Sequence, residues 1–384
     1  MNKYLELNDV AAKRFREVFG ANPEIIAWAP GRINLIGEHT DYNDGLAMPV
    51  GIDCGVSVGI RRRSDRLVKI HSLNFDAAMT YNLGEDYTPE ESWSKYVYGA
   101  LRILEESHEL ASGFDAVFIG NVPSGAGLSS SASLLVSWFN ALRAFSSANF
   151  DDWALVKMAQ RVEHEYLSVH CGLLDQIASQ FSRPDRLLQI AFLTDEISYA
   201  EASMSDHCWV AIHTGKSREL AASAYKQRVE ECKLALVNLK SQDANLSSLR
   251  EAKLSMLQSN TVWEKRVRHL ITENQRVSEM KEALSNQDFT KAGELLIEGH
   301  KSLRDDYEVS CEELDTLVNL SETSPHWRGG RMMGGGFGGC TINLVHRDGI
   351  VEYINQISKT YQDQYPNLQA RYFSFESLGG ARIE

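Results

Sequence analysis

Residues 121–133 read Asn-Val-Pro-Ser-Gly-Ala-Gly-Leu-Ser-Ser-Ser-Ala-Ser, a glycine-rich turn that leads through three consecutive serines into the apolar pattern of a helix. Gly125 and Gly127 can adopt backbone angles closed to other residues, which lets bare N–H groups approach a ligand. The serines from Ser129 onward would lie at a helix N-terminus, where unpaired N–H groups and the positive end of the helix dipole attract an anion. The segment therefore predicts a phosphate-binding loop. Because it lacks the lysine of the common nucleotide motif, any nucleotide site here has a different design.

The composition is that of a globular protein with a large core. The chain has 384 residues, of which 43% are hydrophobic and 24% charged, and this length favours two lobes. A net charge of −13 and a pI near 5.4 argue against a nucleic-acid-binding surface, which needs a basic face. Six scattered cysteines lack the paired spacing of a disulfide framework or a zinc site. An anionic substrate must therefore be held by local features of the site.

The sequence indicates neither a targeting segment nor a membrane span. Residues 1–7 have no cationic segment leading into an apolar run, and nowhere do about 18 uncharged apolar residues follow one another. We therefore expect a cytoplasmic protein that acts on small molecules and has no nucleic-acid or membrane partner. We expect a monomer, with a weak oligomer left open.

Apolar periodicity predicts a sheet-rich first third followed by helices and a return to strands. Strands are expected at residues 24–29, 47–52, 56–61, 68–72, 114–119, 187–192, 209–213, 340–345 and 370–375. Helices are expected at residues 4–19, 93–106, 129–145, 152–169, 217–239, 262–284, 289–303 and 311–321. The polar loop at 182–186 favours a boundary between an N-terminal lobe, residues 1–183, and a C-terminal lobe, residues 184–384.

A second cluster lies at residues 29–43, where Glu38, His39 and Asp41 follow one another within four positions of an expected irregular segment. Each hydroxyl of a sugar both donates and accepts, so carboxylates and a histidine that fix hydrogen-bond direction can select one stereoisomer. A polar turn whose Asp and Asn side chains bond to their own backbone would give a similar composition. Both interpretations are open on composition alone.

A third cluster, residues 160–176, supplies two further carboxylates. Glu163 lies on an expected helix and could provide the hard oxygen ligand that Mg²⁺ prefers, with a serine hydroxyl as the other protein ligand. Its alternative is an exposed helix carboxylate that pairs with a neighbouring arginine. Asp175 could act as a base, or it could be the N-cap of an apolar helix at residues 176–181. Spacing alone decides neither case.

Two glycine-containing segments match nucleotide motifs only superficially. Gly334, Gly336 and Gly339 fit the G-x-G-x-x-G pattern, but a strand is expected after them where the dinucleotide fold requires a helix. A glycine turn packed beside a nucleotide-holding loop remains possible. The segment at 215–217, Gly-Lys-Ser, sits between a strand and a helix, but Val210 stands where the P-loop needs glycine, so we expect a structural role.

Together the four clusters resemble the GHMP small-molecule kinases, and within them the galactokinases. Residues 32–43 resemble the galactokinase signature, residues 122–133 the phosphate loop of the family and residues 331–339 its third motif, in matching order over nearly the whole chain. The resemblance implies an α+β, two-lobed GHMP kinase fold. It has an N-terminal lobe like domain 2 of ribosomal protein S5, a C-terminal α+β lobe and an active site in the cleft between them. It further implies an ATP-dependent sugar 1-kinase that uses Mg²⁺ and converts galactose and ATP to galactose 1-phosphate and ADP.

The resemblance also assigns roles to individual residues. Asp175 corresponds to the catalytic base that accepts the proton of the sugar C1 hydroxyl, and Arg32 corresponds to the arginine beside it, which neutralises charge on the transferring group. Sugar-contacting positions match Glu38, His39, Asp41, Gly172 and Tyr225. Nucleotide-binding positions match Trp93, Ser124, Gly125, Ala126, Gly127, Leu128, Ser129, Ser130 and Ser131, and the Mg²⁺ ligands match Ser131 and Glu163. Trp93 could equally be a core anchor instead of flanking the adenine.

Departures from the family pattern concentrate where the sugar is expected. Met333 stands where galactokinases usually carry threonine, and Ala224 and Lys226 replace the usual Glu and Asn around Tyr225. A 1-kinase for another hexose or amino sugar, such as mannose or N-acetylgalactosamine, is therefore the enzymatic alternative. A non-catalytic sugar- and ATP-responsive regulator is a second one, and the uninterrupted phosphate loop together with Arg32 and Asp175 disfavours it.

Overall fold

The chain folds into two β-sheets packed against helices. The computed structural model describes residues 3–123, 125–146, 148–169, 171–201, 203–216, 221–377 and 379–384. The helices formed by these residues are α1 (Lys3–Phe19), α2 (Ser92–Glu105), α3 (Ser130–Ser146), α4 (Asp152–Leu167), α5 (Leu174–Phe181), α6 (Ala221–Lys240), α7 (Val262–Ser285), α8 (Phe289–Asp305), α9 (Glu312–Ser321) and α10 (Ile350–Gln364). The strands are β1 (Ile25–Ile36), β2 (Leu46–Arg62), β3 (Leu67–Ser72), β4 (Ala77–Asn82), β5 (Phe114–Gly120), β6 (Arg186–Ala191), β7 (Glu196–Glu201), β8 (His207–His213), β9 (Trp327–Met333), β10 (Cys340–His346), β11 (Arg371–Phe375) and β12 (Arg382–Ile383). The predicted α+β character is confirmed.

The larger sheet carries the N-terminal half of the chain. Its strands run in the order β12-β1-β2-β5-β3-β4, and β6 pairs with both β2 and β7. Helix α3 packs against β1 and β2 and is flanked by α2, α4 and α5. Its Trp138 and Phe139 are fully buried, as is Phe114 of β5. Most sides of α3 therefore face protein, which explains why its sequence is apolar over most of its length.

Strands β1 and β2 are longer than the sequence predicts. The expected short strands at 47–52 and 56–61 form one continuous strand, and β1 extends to Ile36 with irregular register after Pro30 and after Asn34. Gly55 allows this pairing, since a Cβ there would lie 2.3 Å from the carbonyl oxygen of Ala29. Arg32 therefore lies within β1 instead of on a loop, whereas Glu38, His39 and Asp41 follow the strand.

The smaller sheet has the order β11-β8-β10-β9. Its register places Met333, Cys340, His213 and Arg371 side by side, in a row that crosses the ends of all four strands and forms one edge of the sheet. The glycine loop at 334–339 and the turn after β8 leave the sheet at this edge. The Cys340 thiol donates to the carbonyl oxygen of Ala126 at 2.9 Å, so the edge faces the phosphate loop.

The two sheets are joined along the end of β1. Apolar side chains of β1 and β2, including Ile33 and Leu35, share one buried cluster with Ala211 of β8 and Leu344 of β10. The fully buried Arg331 of β9 donates to backbone carbonyls of β1 at 2.8 and 2.9 Å. The site described below lies at this junction.

Strands β6, β7 and β12 come from beyond residue 183 and join the larger sheet. The boundary at residues 183 and 184 therefore stays a proposal about lobes and does not divide the two sheets. Among the described residues, no helix combines the length and apolar character needed to cross a membrane.

Candidate active site

The phosphate loop is a tight backbone turn between β5 and α3. Gly125 and Gly127 have φ values of +70° and +71°, and Ser129 has +56°, so the loop uses the left-handed region that glycine tolerates. The backbone N–H of Arg32 donates to the carbonyl of Leu128 at 3.1 Å. This approach requires Gly31, because a Cβ there would lie 2.6 Å from that oxygen. Ser124 was also assigned to the loop and lies outside the described residues.

Helix α3 begins at Ser130, one residue later than the sequence predicts, and has no acidic residue in its first turn. Its N-terminus therefore presents unpaired N–H groups without a competing carboxylate on the helix itself. Ser129, Ser130 and Ser131 line a cavity of about 650 Å³. The other lining residues are Arg32, Pro123, Gly125, Gly127, Leu128, Asp175, His213, Gly215, Lys216, Gly334, Gly335 and Arg371. Ala126, although part of the loop, is buried and does not line this cavity.

Asp175 and Arg32 form an ion pair on the wall of this cavity. The Arg32 Nε donates to Asp175 Oδ1 at 2.8 Å, and its Nη2 lies 2.6 Å from the same oxygen. The Arg32 Nη1 donates to the carbonyl of Gly127 at 2.7 Å, and the Ser129 hydroxyl donates to Asp175 Oδ2. The carboxylate is therefore tied to the phosphate loop from two directions. Leu173 is the N-cap of α5, so the N-cap interpretation of Asp175 is wrong, and this carboxylate is left to face the cavity.

Glu38 lies on the turn after β1 and joins it to the third motif. Its Oε1 accepts from the Gly334 backbone N–H at 2.7 Å and lies 3.4 Å from Arg331 Nη2. The turn is shaped by Gly37 and His39, whose φ values are +95° and +61°. Glu38 is therefore buried and held in one orientation.

His39 packs among tyrosine rings. Its Nδ1 lies 2.8 Å from the Tyr42 hydroxyl, and its ring lies 5.5 Å from Tyr225 and 4.9 Å from Tyr307. Burial lowers the pKa of His39 to about 3, with a further contribution from His269. The imidazole is therefore neutral at physiological pH and can donate from one ring nitrogen and accept at the other.

Asp41 and Gly172 touch each other across the site. A Cβ on Gly172 would lie 1.8 Å from Asp41 Oδ2, so only glycine fits against this carboxylate. Burial raises the pKa of Asp41 to about 7, and the negative charges of Asp175 and Glu38 contribute in the same direction. The carboxyl is thus close enough to Asp175 for the two charges to interact.

Tyr225, near the start of α6, completes this group. Its ring lies 5.4 Å from that of Tyr42, and burial raises the pKa of its hydroxyl well above the usual range, with Asp41 as the next cause. All five residues assigned to the sugar therefore fall in one region next to Asp175. The neighbouring Ala224 is half-buried and Lys226 is exposed.

Trp93 lines a second cavity of about 400 Å³ that shares Ser130 and Ser131 with the first. Its ring is 4% exposed and lies 5.5 Å from the ring of Phe118. The remaining walls are Val56, Asn74, Phe75, Ser92, Tyr96, Phe118, Gly120, Val122 and Leu134. Trp93 is therefore both a core residue and a wall of an apolar pocket beside the phosphate loop, and the two interpretations of the residue are compatible.

Glu163 is a buried carboxylate on α4 that faces the phosphate loop. It is 5% exposed, and it accepts hydrogen bonds from Ser131, from Gln176 and from the Cys171 thiol at 3.2 Å. Burial raises its pKa. The neighbouring Arg161 pairs with Glu165 and Glu106 instead, so the alternative of an exposed, arginine-paired carboxylate is wrong.

Comparison with known proteins places this geometry in a family. The model of the galactokinase galactose-binding signature matches residues 13–62, and that of the GHMP kinases N terminal domain matches residues 95–183. A galactokinase of Staphylococcus carnosus is 36% identical over 363 residues, which cover 91% of this chain and 93% of the relative. A galactokinase of Clostridium acetobutylicum is 37% identical over 369 residues, covering 94% and 95%. The chain belongs to the galactokinase family.

The solved structures agree with this assignment. A Lactococcus lactis galactokinase complexed with galactose superposes with a TM-score of 0.90 at 34% identity, over 97% of this chain and 98% of that one. A mevalonate kinase with a TM-score of 0.67 and 18% identity shares the fold alone. The predicted GHMP kinase fold is confirmed. As a member of the galactokinase family, the protein is an ATP-dependent kinase, a phosphotransferase with an alcohol group as acceptor.

Several residues that shape this site were given no role in it by the sequence. Glu273 of α7 accepts from the Gly37 backbone N–H at 2.8 Å and so holds the turn that carries Glu38. Arg331 and Glu273 are completely buried, although their types are usually exposed. Lys216, expected to be structural, lines the cavity. The strand that follows the third glycine motif is confirmed as β10, so the dinucleotide-binding interpretation is excluded.

Proposed function

We propose that this protein transfers the γ-phosphoryl group of ATP to the C1 hydroxyl of galactose, which gives galactose 1-phosphate and ADP. The observation that carries the proposal is the position of Asp175. This carboxylate is bonded to Ser129 of the phosphate loop and interacts electrostatically with Asp41 of the sugar-site group. A sugar held beside Asp41 would lie next to the phosphates, and phosphoryl transfer depends mainly on such positioning.

Asp175 is suited to receive the proton of the attacking hydroxyl. Its Oδ1 is engaged by Arg32 and its Oδ2 by Ser129, so the carboxylate is fixed before substrate binds. In the reaction the C1 oxygen forms a bond to the γ-phosphorus, the bond to the β-phosphate oxygen breaks, and the hydroxyl proton passes to Asp175. The same carboxylate orients the hydroxyl if the proton leaves late. The Arg32 guanidinium adds positive charge beside the transferring group.

The groups around Asp41 supply directional contacts for sugar hydroxyls. Asp41, with its pKa near 7, is partly protonated at neutral pH and can both donate and accept. His39 is neutral and offers the same choice, while Glu38 is held as an acceptor by Gly334 and Arg331. Such a set favours one arrangement of hydroxyls, because a misplaced hydroxyl leaves a buried polar group unpaired.

The phosphates of ATP would lie at the N-terminus of α3, and its adenine in the apolar cavity against Trp93. The two cavities share Ser130 and Ser131, so one elongated ligand can occupy both. The loop residues Gly125, Gly127 and Leu128 would contact the phosphates through backbone N–H groups, with Ala126 anchoring the turn.

Mg²⁺ fits the donor set beside this loop. Glu163 is a buried carboxylate for which the described residues provide no ion pair, and Ser131 bonds to it, so these two side chains would hold the ion. Hard oxygen ligands of this kind, completed by phosphate oxygens and water, are what Mg²⁺ takes in kinase sites. When bound, the ion neutralises phosphate charge.

The alternative substrates follow from the departures near the sugar. Met333 is buried at the end of β9, next to the Gly334 that binds Glu38, and Ala224 precedes Tyr225. These changes keep mannose and N-acetylgalactosamine as competing acceptors. The regulator alternative is disfavoured because the ion pair of Arg32 with Asp175 is intact.

A panel of sugars tests the proposal. ATP-dependent ADP release is measured with galactose, glucose, mannose, N-acetylgalactosamine and no sugar, and the product is identified by phosphorus NMR as a 1-phosphate. We expect kcat/KM for galactose to exceed that for every other sugar by at least about tenfold. A higher value for another sugar would reassign the substrate, and absence of turnover with all of them, together with retained ADP binding, would support a regulator. A cytoplasmic location and a monomeric state also stay predictions.

A further inference from the structure

The phosphate loop carries no lysine, and the chain as a whole has a net charge of −13. A nucleotide triphosphate therefore needs cations brought to the loop from elsewhere in the fold. Arg32 is one cation of the cavity, but three of its contacts already serve Asp175 and Gly127. Among the described residues, the other Lys and Arg side chains on the cavity wall are Lys216, on the turn after β8, and Arg371 of β11.

Arg371 is placed next to the phosphate loop by the register of the smaller sheet. It is the first residue of β11, and its backbone pairs with His213 at the end of β8. One Arg371 Nη lies 3.7 Å from the point that a Cβ on Gly125 would occupy, so the guanidinium reaches the phosphate loop. Both residues line the cavity of about 650 Å³.

Within the described residues, Arg371 forms no ion pair, whereas Lys216, which lines the same cavity, forms one. Lys216 Nζ lies 2.8 Å from Glu313 Oε2. Arg371 is exposed to the cavity and its guanidinium carbon lies 5.9 Å from the ring centroid of Phe373 on the same strand. An aromatic neighbour helps to hold an arginine in place without neutralising it.

We propose that Arg371 binds the phosphate chain of the nucleotide beside Gly125 of the phosphate loop. This inference rests on the proposed function, since it concerns the same nucleotide site. A guanidinium presents several N–H donors in a planar fork that matches two phosphate oxygens. The nucleotide phosphates would thereby connect the loop of one sheet with the edge strand of the other.

The test measures binding of ADP and of adenosine to the intact protein by titration calorimetry, without sugar. R371A should weaken ADP binding about tenfold, which corresponds to about 1.4 kcal/mol. Adenosine binding should stay within about twofold of wild type, because adenosine has no phosphate. R371K should lie between R371A and wild type for ADP, since lysine keeps the charge but not the fork. R328A is the matched control, because Arg328 lies near the other end of a strand of the same sheet and its removal changes net charge equally.

Four results would overturn the inference. They are unchanged ADP binding in R371A, an equal loss of adenosine binding, an equal loss in R328A, or the absence of ADP binding by the wild type. The last result would also remove the proposed function. A wild type that binds ADP but phosphorylates no sugar would remove the proposed function alone and leave the role of Arg371 to the ADP titration. The loss in R371A should also shrink as salt rises, because the contact is between charges.

Discussion

At the scale of single residues, Asp175 is the side chain whose substitution should distinguish the chemical step from nucleotide binding. It faces the cavity, yet its contacts are with protein groups of the loop and with Arg32. Asp175→Asn keeps the size of the side chain and removes the charge and the proton acceptor. We expect kcat to fall by about 10²- to 10⁴-fold, the range of a lost general base, while the Kd for ADP changes less than about threefold. Steady-state kinetics and ADP titration measure the two quantities.

Asp86→Asn is the control for this prediction, because Asp86 is exposed on a loop and lines neither cavity. It should leave kcat and ADP binding unchanged. Turnover of Asp175→Asn within about tenfold of wild type would contradict the assigned role, since loss of transition-state stabilisation must appear in kcat.

Gly172 supports a second prediction at the residue scale. A Cβ at this position would lie 1.8 Å from Asp41 Oδ2, so Gly172→Ala must displace the Asp41 carboxylate or the loop that carries Gly172. We expect the KM for the sugar to rise by at least about tenfold while the KM for ATP stays within about twofold, because Asp41 is one of the groups proposed to hold the sugar. Gly59→Ala is the control, since its Cβ would meet only Pro23 and Phe15, which line neither cavity, at 3.3 and 3.6 Å. Equal sugar KM values for the two variants would show that Asp41 does not contact the substrate.

At the scale of elements, helix α7 positions the turn that carries Glu38 through a buried carboxylate, Glu273. Arg276, His269 and Arg331 surround Glu273 and, against the cost of burial, lower its pKa from 4.5 to about 2. Because its pKa is lower in the folded protein, the Glu273 carboxylate stabilises the fold fully at pH values above 4.5, its pKa in the unfolded chain. This stabilisation is lost as the pH falls from about 4.5 toward 2. Between about pH 6 and pH 4, the free energy of unfolding of the wild type should fall by about 1 kcal/mol more than that of Glu273→Gln.

Urea unfolding at the two pH values measures this difference. Glu282→Gln is the control, because Glu282 is exposed on the same helix. It should follow the wild type at both pH values. If the free energy of unfolding of Glu273→Gln and of the wild type changed equally with pH, the charge of Glu273 would not stabilise the fold.

Elements with strong local patterns were predicted well. Helices α1, α3, α4, α7 and α8 fall within a few residues of their predicted bounds, because each has a clear apolar face or a long apolar run. Strand β9 was not predicted, because Gly329 and Gly330 have low strand propensity. Gly329 lies there because α8 approaches so closely that a Cβ would stand 2.1 Å from the carbonyl oxygen of Gly293. The close packing of β9 against α8 is a tertiary contact, and a local sequence pattern carries no information about it.

In the candidate site, too, local clusters were predicted from the sequence and residues that act through tertiary contacts were not. The phosphate loop and the cluster at residues 38–41 were visible in the sequence because unusual residue types occur close together. Glu273 was not, since it is a single charged residue in a helix of ordinary composition. Arg331 falls within the third motif at residues 331–339, but the sequence assigned it no contact. Their role depends on contacts over 236 and 296 positions of sequence, which only the fold supplies.

At the scale of the whole molecule, one buried arginine links the two sheets. Arg331 of β9 donates to the carbonyls of Leu35 and Asn34 in β1 and to that of Met332 beside it, and it also lies near Glu38. These groups are buried, so removing the guanidinium would take one hydrogen-bond partner from each of them. The same arginine that joins the two sheets also contacts Glu38, which is held beside Gly334 at the site.

Arg331→Met tests this link, since methionine fills much of the space without donating. We expect the free energy of unfolding to fall by about 3–5 kcal/mol, the cost of breaking a buried charged network. We also expect unfolding followed by tryptophan fluorescence and by far-UV circular dichroism, coincident in the wild type, to separate as the sheets lose their connection. Arg304→Met is the control, because Arg304 pairs with Asp305 at the surface and should cost less than about 1 kcal/mol. An Arg331→Met protein as stable as this control would show that apolar packing alone joins the two sheets.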